Sequence, residues 1–122
     1  VNNRGFSYEG REFINWLKEN GFLEKNFYFV CGDRHWKYHS IDPSGFEEFS
    51  CGALVEANSI VGTFPGDPKS NDPEGKIKQT FHPKEASAGF LIIRIRPDGP
   101  KGEFLFYDEY GKLLNKTVRE KK

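Results

Sequence analysis

The sequence predicts an α+β domain with one N-terminal helix and mostly antiparallel strands. Three observations predict it. Phe13, Trp16 and Leu17 recur at helical spacing. Residues 27–31 form an unbroken run of strand formers, and from Phe90 onward short alternating segments are divided by turn residues.

The helix is expected over residues 9–19. Ile14 flanks its apolar face, Glu9 and Glu12 lie near its start, and Lys18 lies near its end, the order that suits the helix dipole. Ser7 is a candidate N-cap, and Asn20-Gly21 is a stop because either residue tolerates a left-handed cap. The next strand, 27–31, is apolar throughout rather than alternating, which predicts burial on both faces. A short strand at 37–41 is expected to turn at Asp42-Pro43-Ser44-Gly45 and pair with 46–51, in a register the pattern leaves open. A short helix is expected around 55–59.

Residues 62–83 carry four prolines and three glycines and predict a long flexible loop, a lid or substrate-facing segment if it is functional. The remainder reads as an antiparallel meander. Its strands are 90–96, 103–108 and 113–118, its turns Pro97-Asp98-Gly99-Pro100 and Glu109-Tyr110-Gly111-Lys112, and 119–122 is a charged tail. Phe104 and Phe106 fall on one face, Leu105 and Tyr107 on the other.

The chain of 122 residues suits a single domain, 1–122. Twelve phenylalanines and no methionine predict an aromatic-rich core. Eighteen basic residues balance eighteen acidic ones, so charge gives no reason to expect nucleic acid or an anionic membrane as partner. No apolar run approaches the roughly 20 residues of a membrane helix, and no signal peptide is visible. A chain that starts at Val1 without any methionine is expected to be a processed chain or an excised fragment. Cys31 and Cys51 are too few for a disulfide framework or a zinc site; two buried thiols are expected, a disulfide between neighbouring strands being the alternative.

The densest chemistry follows the 27–31 run, in Gly32-Asp33-Arg34-His35-Trp36. A carboxylate and an imidazole at a strand end are candidate metal ligands. Alternatively, Asp33 caps a turn and His35 is a structural histidine. Arg34 can bind a phosphate or pair with Glu47 or Glu48, and Trp36 can wall a pocket or simply pack. His39 and His82 are further single-histidine candidates, and Glu47, Glu48 and Glu56 can supply oxygen. Ser50-Cys51-Gly52 admits a cysteine nucleophile with His35 or His39 as base, but its flanks match no nucleophile turn, and no glycine-rich phosphate loop is present.

The run Phe29-Val30-Cys31-Gly32-Asp33-Arg34-His35-Trp36, with Tyr38-His39-Ser40, Glu48-Phe49-Ser50-Cys51-Gly52 and the later segment 104–112, resembles the C-terminal part of PhoD-like alkaline phosphatases, within the calcineurin-like metallophosphoesterases. The resemblance covers nearly the whole chain. It implies the C-terminal portion of a four-layer αββα sandwich and a two-metal site (Fe, Mn, Zn or Ca) that hydrolyses phosphate mono- or diesters. By that match His35 is a metal ligand and Asp33 takes the place of the family's other His, binding metal directly or supporting a ligand, while Arg34 or His39 is the catalytic candidate that stabilises charge on the phosphate. The superfamily's remaining ligand motifs (Asp-x-His/Asn, Gly-Asp-x-x-Asp, Gly-Asn-His-Asp/Glu and a further His) do not occur here. The expectation is therefore one corner of a site, inactive alone, whose partners are the missing N-terminal part of the same protein and a phosphate ester. Periplasmic or secreted placement is implied by resemblance only. The rival expectation is a self-sufficient, non-enzymatic β-rich accessory or interaction domain, marked by a closed core and an intact sheet.

Overall fold

The computed structural model describes residues 6–99 and 101–122. The expected lead-in at 1–5 and Pro100 of the 97–100 turn lie outside the described residues. Among the described residues the fold is α+β, with one α-helix and two mostly antiparallel sheets.

Helix α1 spans Ser7–Glu19. Ser7 is its first residue rather than its cap; Phe6 holds the cap position and no side chain caps the end. The far end stops as expected. The Asn20 amide and backbone N–H both donate to the Trp16 carbonyl, at 2.8 and 3.0 Å, and Gly21 takes φ +71°. Leu17 is 2% exposed, whereas Phe13 and Trp16 are half exposed, so the apolar face is only partly covered. Their rings join an aromatic chain through Phe22, Phe27, Phe29 and Phe46, edge-on at every contact but the tilted Trp16–Phe22 pair.

Strands β1 (Phe29–Cys31), β2 (Lys37–Ile41), β3 (Glu47–Cys51) and β4 (Lys78–Phe81) form one sheet in the order β1-β3-β2-β4. β1 runs parallel to β3; the other pairs are antiparallel. The expectation that 27–31 is buried on both faces is corrected: β1 is a three-residue edge strand with a single neighbour, and Val30 is 52% exposed. The β2–β3 hairpin matches expectation and settles the register, from Lys37 opposite Cys51 to Ile41 opposite Glu47. Asp42 builds its turn, its side chain accepting the Ser44 N–H at 2.8 Å.

The loop expected over 62–83 contains β4. Its remaining turns are organised by Asp72, whose carboxylate accepts N–H groups from Lys76 and Ile77 at 3.0 and 2.7 Å and whose carbonyl accepts Gly66 N–H at 2.8 Å. The breaker-rich composition hid a short edge strand.

The meander is present as β5 (Gly89–Ile95), β6 (Lys101–Asp108) and β7 (Leu113–Glu120). Arg119 and Glu120, expected in a tail, belong to β7. One face of the four-stranded sheet packs on this meander. Phe49, Phe104 and Phe106 are fully buried there, with Phe49 stacked on Phe104 at 4.0 Å and Tyr28, Phe81, Leu91 and Leu114 around them. The aromatic core is as expected.

Candidate functional site

β1 delivers the chain at Cys31 into a tight turn. Arg34 N–H donates to the Gly32 carbonyl at 2.8 Å, closing a γ-turn about Asp33. Asp33 and His35 both adopt left-handed backbone, φ 65° and 54°. That conformation costs about 1–2 kcal/mol per non-glycine residue and persists where the surroundings enforce it. The enforcement lies just beyond. His35 C=O accepts Ile60 N–H at 3.0 Å, and Trp36 is buried against Tyr38 and Phe64. Gly62 lies flat on the indole, where an added Cβ would sit 2.1 Å from Cε3. Residues 32–35 themselves are exposed. The turn is therefore a pinned projection whose side chains face solvent.

Arg34 and Trp36 contribute to the wall of a cleft of about 710 Å³ between α1 and the outer face of the four-stranded sheet. Phe29, Tyr38, Ser40, Glu48 and Gln79 share that face and line the cleft. At its floor Glu48 accepts the Tyr38 hydroxyl and, at 3.5 Å, the Cys31 thiol. Burial works against the Glu48 charge, yet the donors gathered on it, Tyr38 first, hold its carboxyl below the usual range. Burial and the same carboxylate push the Tyr38 phenol and the Cys31 thiol up, so both stay protonated at neutral pH.

Other predicted residues lie elsewhere. His39 is 1% exposed on the opposite face of the sheet, and the structure does not bring it to the Asp33–His35 turn. Its imidazole stacks on Phe49 at 4.1 Å; Nε2 bonds Glu47 at 2.7 Å and Nδ1 bonds Thr80 at 2.6 Å. Glu47, considered as a partner for Arg34 or an oxygen ligand, is instead taken by Arg119 through three contacts of 2.9–3.2 Å. His82 packs on Phe64. The two thiols are free and half-buried. Register places Cys31 opposite Ser50, so Cys51, one residue on, falls on the other face and is turned away from a disulfide with Cys31. Both His39 nitrogens are engaged by Glu47 and Thr80, so His39 is not the base that Cys51 would need.

Among the described residues no group of three or more His, Cys, Asp or Glu side chains is placed to hold a metal ion. Asp33 and His35 offer two donors, short of what two bridged cations require. No helix among the described residues is long and apolar enough to cross a membrane.

Comparison with family models, curated proteins and solved structures gives no match.

The residues that sequence reasoning missed are Arg119, Thr80 and Lys37. Asn115, Thr117 and Arg119 continue one alternating face of β7, a signal available had the alternation been followed past Val118.

Glu47 gives the domain an acid-sensitive tie between its sheets. Burial opposes its ionisation, but hydrogen bonds from His39 and Arg119 prevail and hold its pKa at about 2, against an ordinary 4.5. A carboxyl depressed on folding stabilises above its unfolded value and loses that contribution as pH falls through the folded one. About 3 kcal/mol is therefore expected to disappear between pH 5 and pH 2. Urea unfolding across that range should show this slope, and Glu47→Gln should flatten most of it.

Proposed function

We propose that this chain supplies one corner of a metal-dependent phosphate-ester hydrolase, with Asp33 and His35 as metal donors and Arg34 holding the phosphate. The observation that carries the reading is the pinned, strained Gly32–His35 turn. It presents a carboxylate, a guanidinium and an imidazole to solvent, and none of the three has a partner among the described residues. Strain of this kind gathers where function fixes the backbone. Arg34 also borders the cleft, so a phosphate on its planar fork would place the ester's organic group toward the aromatic wall. The two packed sheets with α1 outside one of them accord with the inner layers and one outer layer of an αββα sandwich, and the half-covered β1 edge and α1 face accord with neighbours supplied by the rest of the protein.

One observation favours the non-enzymatic accessory domain: the aromatic core between the sheets is closed. One experiment separates the two. The purified chain is assayed with p-nitrophenyl phosphate and bis(p-nitrophenyl) phosphate in the presence of Mn²⁺, Fe³⁺, Zn²⁺ or Ca²⁺, and so is the product of the longest reading frame containing it. The chain alone should be inactive. The longer product should turn over, and His35→Ala should lower its kcat/KM by about 100-fold. Activity in the chain alone, or a longer product that is inactive or indifferent to His35→Ala, would overturn the proposal.

A further inference from the structure

We propose that Thr80 is a nucleophilic hydroxyl, activated by His39 and Glu47, that accepts an acyl group from activated esters. The three side chains form a carboxylate–imidazole–hydroxyl relay on the sheet face away from the Gly32–His35 turn. Thr80 Oγ1 lies 2.6 Å from His39 Nδ1, and His39 Nε2 lies 2.7 Å from Glu47 Oε2. A nucleophile within hydrogen-bond reach of a base that a third group orients is the geometry that activates hydroxyls on unrelated folds.

The proton positions follow from the partners. Glu47 is a carboxylate, held so by the Arg119 guanidinium, and can only accept. In the neutral imidazole Nε2 therefore carries the hydrogen, and the Nδ1 lone pair faces Thr80. The hydroxyl has one hydrogen and two acceptors in reach, Nδ1 at 2.6 Å and the His39 carbonyl at 3.2 Å; the shorter contact takes it. The ring cannot swing away, because Phe49 stacks on it within 9° of parallel.

Thr80 is also presented outward. Gln79 pairs with Ser40 and Phe81 with His39, so Thr80 falls between them as the unpaired residue of an irregularity in β4. Such bulges re-aim a side chain. β4 is an edge strand and Thr80 is exposed, so a small electrophile can reach a hydroxyl whose base is buried.

In the reaction, Oγ1 attacks the acyl carbon as its proton passes to Nδ1. The bond to the leaving oxygen breaks, and the proton returns from the imidazole to that oxygen or to water. The product is a Thr80 ester plus the free alcohol or phenol, with no change in oxidation state.

The test is p-nitrophenyl acetate with peptide-level mass spectrometry, hydroxylamine separating esters at hydroxyls from amides at lysines. Thr80 should acquire acetyl at least about 100-fold faster than the exposed Thr63, a general base contributing at least that much. Thr80→Ser should retain labelling. Glu47→Gln should cut the Thr80-to-Thr63 ratio by about 10-fold or more, with circular dichroism confirming that the variant is folded. A wild-type ratio near one, or a ratio that survives Glu47→Gln in the folded protein, would overturn the proposal and leave the relay as packing.

Discussion

Phe49→Ala is expected to remove about 3–5 kcal/mol of stability, a large share of the 5–15 kcal/mol that holds a domain of this size together. Phe49 has no exposed surface, and its ring is packed from both sheets. It stacks on His39 at 4.1 Å within its own sheet, on Phe104 at 4.0 Å across the interface, and reaches Phe106 at 6.3 Å. Alanine would lose the transfer energy of the ring and leave a cavity between two sheets that cannot collapse, since the β2–β3 and β5–β6 ladders fix their backbones. Phe49→Leu should cost less than half as much, because it refills part of the volume. Equilibrium urea unfolding of the three proteins checks the order. A Phe49→Ala loss below about 1.5 kcal/mol would mean that the sheets repack freely and that the core is not centred on this ring.

Lys37→Met is expected to cost about 2–4 kcal/mol although it places an apolar side chain at a buried position. Lys37 is 1% exposed. Its ammonium donates to the Ser87 carbonyl, to Ser87 Oγ at 3.3 Å and to the Ala88 carbonyl at 2.7 Å, in the segment that enters β5. Burial lowers its pKa, countered by the carboxylates of Glu109 and Asp108. Methionine would keep the stem packed against Gly52, where φ is +76° and an added Cβ would sit 2.6 Å from Lys37 Cγ. It would nonetheless leave two carbonyls without their donor. Relief from desolvating an ammonium offsets part of that loss and sets the lower end of the range. Thermal melts of the wild type, Lys37→Met and Lys37→Ala should rank in that order. A Lys37→Met protein as stable as the wild type would show that the ammonium contributes nothing net.

Most of the fold was legible because it rests on local periodicity. The spacing of Phe13, Trp16 and Leu17 marked α1, the Asp42–Gly45 turn marked the β2–β3 hairpin, and the alternation through Phe104 and Phe106 marked the meander. The errors share a cause: burial depends on neighbours that a single segment does not encode. The apolar 27–31 run reads as a central strand, but only a neighbour on each side would make it one, and β1 has β3 alone. β4 is four residues long among prolines and glycines, and only its pairing with β2 makes it a strand. At the candidate site the turn itself was legible from residue types, as was Trp36 as cleft wall; the place of Arg34 beside it was not. The position of His39 was not. Four residues separate it from His35, yet the left-handed turn and strand alternation send the two to different environments.

The ion pair between Glu47 and Arg119 spans 72 residues of chain, and that separation bears on how the domain is made. During synthesis the β2–β3 hairpin leaves the ribosome long before β7 does. Until Arg119 follows, closing the sheet around Glu47 would bury a carboxylate with one of its two cation-bearing or imidazole partners missing. Docking of the two sheets is therefore gated by the later-emerging β7, and the early hairpin waits half-wetted, its aromatic face open to chaperones and to other nascent chains.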